Sequence, residues 1–537
     1  MLPQRLINLK QSVRLNSTVA LTKKEEYYKK QNTSALEVNE KPLGWDQAKP
    51  FESIPGPKPL PGIGNIFRFF PGGKYYGLNL LQFQKRLTEE YGSCVMLKGM
   101  PGSISEILMT FDPSDIETIF RVEGTWPIRH GMDSFRYYRG AIKKDLFQGV
   151  IGLLSLGGEE WAKIRSMVNP LLMQPKIVKQ YIGNMNIIAD GLLERVNLLA
   201  AQNKEMPEDF LMLLHKWALE SVAVVAIDER LGCLDPNLPP DSPQNKYVDS
   251  VLEMLDLVYY LDILPSMWKY YSTKRWKRFV RLMDYITETN IAYLEKCKEK
   301  IEKNPHKSEE DMSVLEKLIK KDKTIALVMI MDMLIAGVDT TGKTMGAALY
   351  YLAKNPDKQE ILRQEAIRIL PSKNTAVTKE MLENAAYLKA VFKETTRIAP
   401  IATGTVRKIA KDAVIAGYQV PKGTQVSSAQ LFVATSNKFV KRPLEFIPER
   451  FLRNEKDSEL SYKNMHSFAY LPFGFGPRTC IGKRLANMEL EVGLLKLVRN
   501  FKFDWPHEDI PFNSKLLYGI DGPLKLHITP LDNKINE

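Results

Sequence analysis

Residues 473–482, Phe-Gly-Phe-Gly-Pro-Arg-Thr-Cys-Ile-Gly, constrain this chain more than any other stretch. Three glycines let the backbone turn tightly and run close to a large flat group that a Cβ would obstruct. An amphipathic helical pattern follows from residue 483 to about 497. At the mouth of that helix Cys480 meets the positive end of the helix dipole and unpaired backbone N–H groups, with Arg478 a nearby cation, so the thiolate is favoured and the sulfur can serve as an anionic metal ligand. Two other readings compete. A lone cysteine is usually a small buried hydrophobe. A phosphate loop needs four residues between its glycines and then Lys-Ser or Lys-Thr, whereas five separate Gly476 from Gly482 and Lys483 precedes Arg484, so that reading fails on spacing. A haem fits the flat group and the sulfur together.

With Phe473, three glycines, Arg478, Cys480 and Gly482 in place, the pattern resembles the cysteine-ligand loop of the cytochrome P450 superfamily, whose iron carries an axial thiolate. The superfamily's other motifs follow in order. Residues 325–338 are apolar apart from Asp332 and lead into Ala336-Gly337-Val338-Asp339-Thr340-Thr341. Taken alone, this is a buried core helix on which Ala336, Gly337 and Thr340 share a face. The resemblance makes it the oxygen-side helix: Gly337 leaves room for dioxygen, Thr340 holds the oxygen and its water, and Asp339 relays protons. Glu394 and Arg397 sit three apart on a helix that Pro400 ends, a spacing that Glu365 and Arg368 repeat as a solvated surface pair. Followed by Phe446-Ile447-Pro448-Glu449-Arg450-Phe451, the first pair is similar to the family's buried structural cluster, here Glu394, Arg397 and Arg450.

Haem propionates need cationic partners, and arginine's planar fork suits a carboxylate better than lysine does. By resemblance Trp161 and Arg165 lie on the helix crossing one propionate, and Arg407 and Arg478 are further partners. Arg129 is either another or an ordinary surface arginine. The six histidines, His130, His215, His306, His466, His507 and His527, show no His-x-x-x-His spacing, which argues against a histidine-based metal site.

A chain of 537 residues suggests two to four domains, yet no long low-complexity linker or internal repeat divides it. The resemblance, covering about residues 54–531, implies one mainly α domain over 54–537, a large helical body with a small β-sheet region, holding haem b. The proline-rich stretch 55–62 is similar to the family's stiff lead-in segment. Four cysteines are too sparse for a disulfide framework. The first 24 residues carry Arg5, Lys10, Arg14, Lys23 and Lys24 and no acid, with an apolar stripe of Leu2, Leu6, Leu9 and Val13, which reads as a mitochondrial transit peptide; residues 25–53 read as a linker. No stretch near the start approaches the roughly 20 apolar residues of a membrane-spanning helix.

Removing the leader's five basic residues from the net charge of +12 leaves about +7. Lys389 and Lys393, four apart, and Lys483 with Arg484 match positions where mitochondrial members of the superfamily dock an acidic [2Fe-2S] ferredoxin, itself fed by an NADPH-dependent reductase. No nucleic-acid motif or exposed aromatic platform accompanies the basic residues. The segment 264–276, with Trp268, Tyr270, Tyr271 and Trp276 among Lys269, Lys274 and Arg275, either rests on the inner mitochondrial membrane from the matrix side or is a core-packed helix end. The implied reaction is insertion of one atom of O2 into a lipophilic substrate. The chain is most similar to insect mitochondrial members associated with detoxification, which favours foreign compounds such as insecticides; an ecdysteroid-type hydroxylase is the alternative, and a haem-thiolate gas or redox sensor the non-enzymatic one. The resemblance lines the pocket with residues 131–144, 251–264, 335–336, 401–405 and 516–520, mainly apolar, with Thr403 and Tyr518 among the few polar groups.

Overall fold

The computed structural model describes residues 41–99, 106–129, 131–264, 266–303, 308, 310–453 and 459–531. The leader, residues 25–40 of the linker, His130 and His306 lie outside them. Residues 41–48 belong to a first unit and carry one short 3-10 turn, Trp45–Gln47. The second unit begins at Lys49, and all that follows concerns it.

Twelve described helices have eight residues or more: α1 Leu80–Tyr91, α2 Pro113–Val122, α3 Gly158–Leu172, α4 Lys176–Gln202, α5 Phe210–Ala226, α6 Pro243–Val258, α7 Lys274–Lys303, α8 Val314–Lys321, α9 Lys323–Lys354, α10 Pro356–Ile369, α11 Ala386–Ile398 and α12 Lys483–Asn500. The strands are short: β1 Cys94–Lys98, β2 Glu106–Thr110, β3 Thr405–Lys408, β4 Ala413–Ile415, β5 Tyr418–Val420, β6 Gln425–Ser428, β7 Phe501–Asp504, β8 Phe512–Ser514, β9 Tyr518–Ile520 and β10 His527–Pro530. One sheet has the order β1-β2-β6-β3, with only β2 and β6 parallel; the other strands form pairs β4-β5, β8-β9 and β7-β10. The fold is therefore mainly α with a small β region.

The centre of the core is α9. Asp322 caps it, accepting the Ile325 N–H at 2.8 Å, and 32 residues without proline carry it on for roughly 48 Å. An α9 this apolar can be stable only if wrapped, and α5, α6, α7 and α12 wrap it. Its interior acid, Asp332, is paired with buried Arg139 at 2.7 Å and accepts the Leu153 N–H at 2.9 Å. That pair fixes the loop 150–156 on α9. Gly152 has φ +99°, and a Cβ there would fall 2.6 Å from the Asp332 carboxylate.

Near the far end of α9 the chain builds a buried ionic cluster. Glu394 on α11 accepts both Arg397 Nε and Nη2, at 2.7 and 2.8 Å, Arg450 Nε at 3.0 Å and the Ile447 N–H at 2.9 Å. All three side chains are fully buried. The guanidinium of Arg397 also donates to the carbonyls of Ala434 and Pro443, so the cluster ties the backbone at 434, 443 and 447 to one helix. Glu365, expected in a solvated surface pair, is instead buried and accepts the Tyr387 and Leu388 N–H groups at 2.9 and 2.8 Å. It caps α11, where a helix start needs an acceptor, and Arg368 is left mostly exposed 3.6 Å away.

Within 264–276 the aromatics divide. Trp268 and Trp276 stack at 4.4 Å in the core, with Trp268 Nε1 donating to the Leu261 carbonyl, whereas Tyr270 and Tyr271 are 82% and 60% exposed. The core-packed reading holds for the tryptophans, and the tyrosines lie on the surface.

Candidate functional site

The Cys480 N–H donates to the Phe473 carbonyl at 2.9 Å, closing the loop ahead of α12. Gly474 and Gly476 have φ near +72°, left-handed backbone that a side chain disfavours, and a Cβ on Gly476 would fall 2.9 Å from a carboxylate oxygen of Glu123. Gly482 has an ordinary φ of −82° and is the residue before α12. The flanks are pinned as well: Arg165 Nη2 on α3 donates to the Thr479 carbonyl at 2.6 Å, and Arg478 donates to the carbonyls of Pro127 and Leu156 while lying 4.5 Å over the Trp161 ring.

Of the four cysteines only Cys480 is exposed, at the tip of this loop. Its surroundings are still protein-lined: burial pushes the thiol above the usual range, against the pull of the Gly482 and Lys483 N–H groups and of Arg165. The helix mouth alone thus does not make the thiolate dominant, a correction to the sequence expectation. Coordination to a cation would draw the thiol to its ionised form, as it does for any thiol.

Around Arg478 the fold gathers Arg129, Arg165 and Arg407 against one carboxylate, Glu123, which is ion-paired with Arg407. Burial, then repulsion from its neighbours, lowers Arg478 to about 9, and the same two effects bring Arg129 to about 10. Arg129 is therefore a member of the cluster rather than a surface arginine. Four neighbouring guanidinium groups with a single carboxylate among them are an unbalanced charge in a partly buried place, and Arg165 Nε and Glu123 Oε1 have no hydrogen-bond partner among the described residues. Two propionates would restore the balance. The residues present fit haem b: a sulfur at a loop tip, an aromatic ring and a set of bidentate donors for its acid groups.

On α9, Ala336 is exposed in the middle of an otherwise buried stretch, and Thr340 Oγ1 donates to its carbonyl at 2.7 Å. Gly337 points elsewhere. A Cβ there would sit 3.0 Å from Val222 Cγ2 on α5, so the missing side chain lets two helices approach and does not clear space on the Ala336–Thr340 side. This corrects its assigned role, because one residue along a helix turns the side chain by about 100°. Asp339 is buried between His215 Nε2, 3.2 Å away but poorly aligned for a hydrogen bond, and Lys343 Nζ at 2.9 Å. Burial raises its carboxyl, yet the His215 contact and the Lys343 charge outweigh it and hold Asp339 below the usual range.

Sequence reasoning missed three of these groups. His215 comes from α5, and Gly342 makes room for it, since a Cβ there would lie 2.2 Å from its ring. Lys343 lay one helical turn after Asp339. Glu489, on α12, accepts Thr341 Oγ1 at 2.8 Å and is pushed by burial to about 8. Its signal was present: residues 485, 488, 489, 492 and 493 form the buried face of α12, and one of them is an acid.

The pocket segments also meet. The Tyr518 N–H donates to the Ile401 carbonyl at 2.9 Å, and Ser134 donates through N–H and Oγ to Asp262, which joins 131–144 to the end of α6. On the surface behind the loop, Lys393 is crowded by Lys389, Arg453 and Lys483; burial first, then these charges, hold its ammonium below the usual lysine range. Glu491 sits among them, raised by burial to about 7. Arg484 is exposed, and its Nε donates to the Met173 carbonyl at the end of α3 at 2.6 Å.

A family model described as Cytochrome P450 matches residues 54–525. "Probable cytochrome P450 12a5, mitochondrial" of Drosophila melanogaster is 40% identical over 94% of this chain and 95% of its own length. "Cytochrome P450 CYP12A2" of Musca domestica is 40% identical over 91% of this chain and 93% of its own. "Probable cytochrome P450 12b2, mitochondrial" of Drosophila melanogaster is 37% identical over 91% of each. With the sulfur loop, the cationic cluster and a match of this extent, the chain belongs to the cytochrome P450 family of haem b monooxygenases.

Proposed function

We propose that the chain works in the mitochondrion, peripheral to the matrix face of the inner membrane, oxygenating lipophilic foreign compounds with electrons from a [2Fe-2S] ferredoxin and its NADPH-dependent reductase. The observation that carries this reading is the cationic surface of Lys389, Lys393, Lys483 and Arg453 behind the Cys480 loop. It suits an acidic electron carrier, and relatives named mitochondrial support the compartment. Cys480 would hold haem b through its sulfur, and the bound group would supply the activation of O2 needed for monooxygenation.

The protein's own groups do the rest. Trp161, Arg165, Arg407, Arg478 and Arg129 orient the cofactor through its acid groups, and Phe473 and Gly482 shape the loop that presents the sulfur. The Thr340 hydroxyl gives up its bond to the Ala336 carbonyl to hold a proton toward the reacting centre. Asp339, ionised at rest, takes up a proton and hands it to that hydroxyl, and His215 and Lys343 set where its carboxylate rests. Exposed Ile263, Met267, Tyr270 and Tyr271 beside Lys274 form the surface that meets the membrane, where apolar substrates are concentrated.

The test is an optical titration of the mature haem protein with insecticides and sterols, followed by turnover with ferredoxin and reductase. Weak Soret shifts from many unrelated apolar compounds, with ferredoxin-dependent products, are expected. A tight, saturable shift for one sterol alone would replace this reading with the ecdysteroid hydroxylase. Substrate shifts without any ferredoxin-supported product would favour a sensor.

A further inference from the structure

Far apart in sequence, His507, His527 and Glu205 converge in the fold. His527 opens β10 and stands opposite Asp504 of β7. On its other side its backbone bridges Glu205 in the link between α4 and α5, through Met206 N–H to the Leu526 carbonyl at 2.8 Å and Ile528 N–H to the Lys204 carbonyl at 2.9 Å. His507 lies three residues beyond β7. Glu205 and His527 are thus held as cross-strand neighbours by backbone pairing, not by long side chains meeting at random.

Both imidazoles aim Nε2 at the same carboxylate oxygen. His507 Nε2 is 3.1 Å and His527 Nε2 3.4 Å from Glu205 Oε2, and the three atoms lie within 4.8 Å of one another. The Lys525 carbonyl oxygen stands 3.1 Å from His507 Nε2. In a tetrahedral zinc site with bonds of about 2.05 Å, neighbouring ligand atoms are roughly 3.3 Å apart, close to the two histidine–Glu205 distances and to the distance from His507 to the Lys525 carbonyl. The rings meet edge to face at 88°, and Trp505 packs against His507 and shields one side. Lys525 Nζ, a cation close enough to act on Glu205, is drawn off to Glu208 at 2.7 Å. Two imidazoles, a carboxylate and a carbonyl are a borderline donor set that suits Zn2+ better than Ca2+ or Mg2+.

We propose that Glu205, His507 and His527, with the Lys525 carbonyl, form a zinc site separate from the haem loop. With four donors from the protein it is a closed, structural site, and its ion ties the α4–α5 link to β10 and to the turn after β7. Spacing in the sequence argued against a histidine metal site; the sheet pairing supplies what spacing lacked.

The haem-loaded mature protein, stripped with a chelator and dialysed against Zn2+, is the material for the test, with zinc measured by elemental analysis so that haem iron does not interfere. One equivalent of zinc per haem is expected, bound below about 10 µM, with the thermal loss of the Soret band shifted up by about 3 °C at saturating metal. His507→Gln with His527→Gln should lower the affinity by about a hundredfold while haem content and the Soret maximum stay unchanged; His466→Gln, removing the histidine beside Glu117, should leave zinc binding intact. No saturable equivalent in the wild-type protein, or equal binding by the double variant, overturns the proposal. So does loss of the equivalent in His466→Gln.

Discussion

At Thr340 a hydroxyl is held by the Ala336 carbonyl one turn back, while the next residue, Thr341, holds buried Glu489. The two adjacent alcohols thus hold different partners, a carbonyl of their own helix and an acid on α12. Thr340→Ala should retain haem and substrate shifts but lower product formed per NADPH roughly tenfold, with peroxide accounting for the difference, because the positioned hydroxyl is lost; product yield against NADPH consumed is the check, and unchanged coupling removes Thr340 from proton delivery. Glu489 makes a separate prediction in pH. Its folded value of about 8 lies above the ordinary 4.5, so the folded state keeps a proton that the unfolded chain has released. That contribution to stability is full below about 4.5, falls as pH rises through the window and is gone above about 8. Glu489→Gln should flatten thermal stability across that window while preserving the bond to Thr341; an unchanged slope would acquit Glu489. The sequence made the Cys480 loop and the Glu394 trio legible because their partners lie at motif spacing. It hid His215, whose partner Asp339 is on another helix, and it misjudged Gly337, since shared-face arithmetic on α9 does not say which neighbour α5 presents.

Among the elements, α11 shows how much a single side chain can organise. Its start is capped by Glu365 from α10, and its end carries Glu394, whose four hydrogen bonds bring in Arg397, Arg450 and the backbone at Ile447. Glu394→Ala leaves two buried guanidinium groups unpaired, at a cost of roughly 3–5 kcal/mol. The expected outcome is protein that fails to retain haem; a variant with wild-type Soret absorbance per chain contradicts it. The middle of α9 and most of α12 were readable from their apolar residues. What was not readable is the lateral bonding between elements: the Asp332–Arg139 pair spans 193 residues and the Ser134–Asp262 bond 128. Local patterns carry no record of such closures.

Across the whole molecule the formal charge of +12 is less informative than its placement. One set of cations surrounds Arg478 inside, and another surrounds Lys393 outside. Lys393→Glu should raise the KM for ferredoxin roughly tenfold while leaving substrate-induced Soret shifts unchanged, and the difference from wild type should shrink as salt screens the encounter; steady-state reduction rates at low and high ionic strength decide it. Arg484→Ala should have little effect on that KM, since its guanidinium holds the end of α3. The small sheets were foreseen only as a region, because strands of three to five residues leave too little alternation to read.

The central helix α9 is long and apolar enough to cross a bilayer, a fate that would take it out of the protein's core. Asp332 and Asp339 guard against that. In the fold the first is matched by Arg139 and the second by Lys343 and His215. Midway through lipid each acid would cost about 3 kcal/mol, and Arg139 and His215 would lie outside the inserted segment. The same two residues that look like blemishes on an oily helix therefore act as an address, steering the segment out of the lipid and into the protein's own interior.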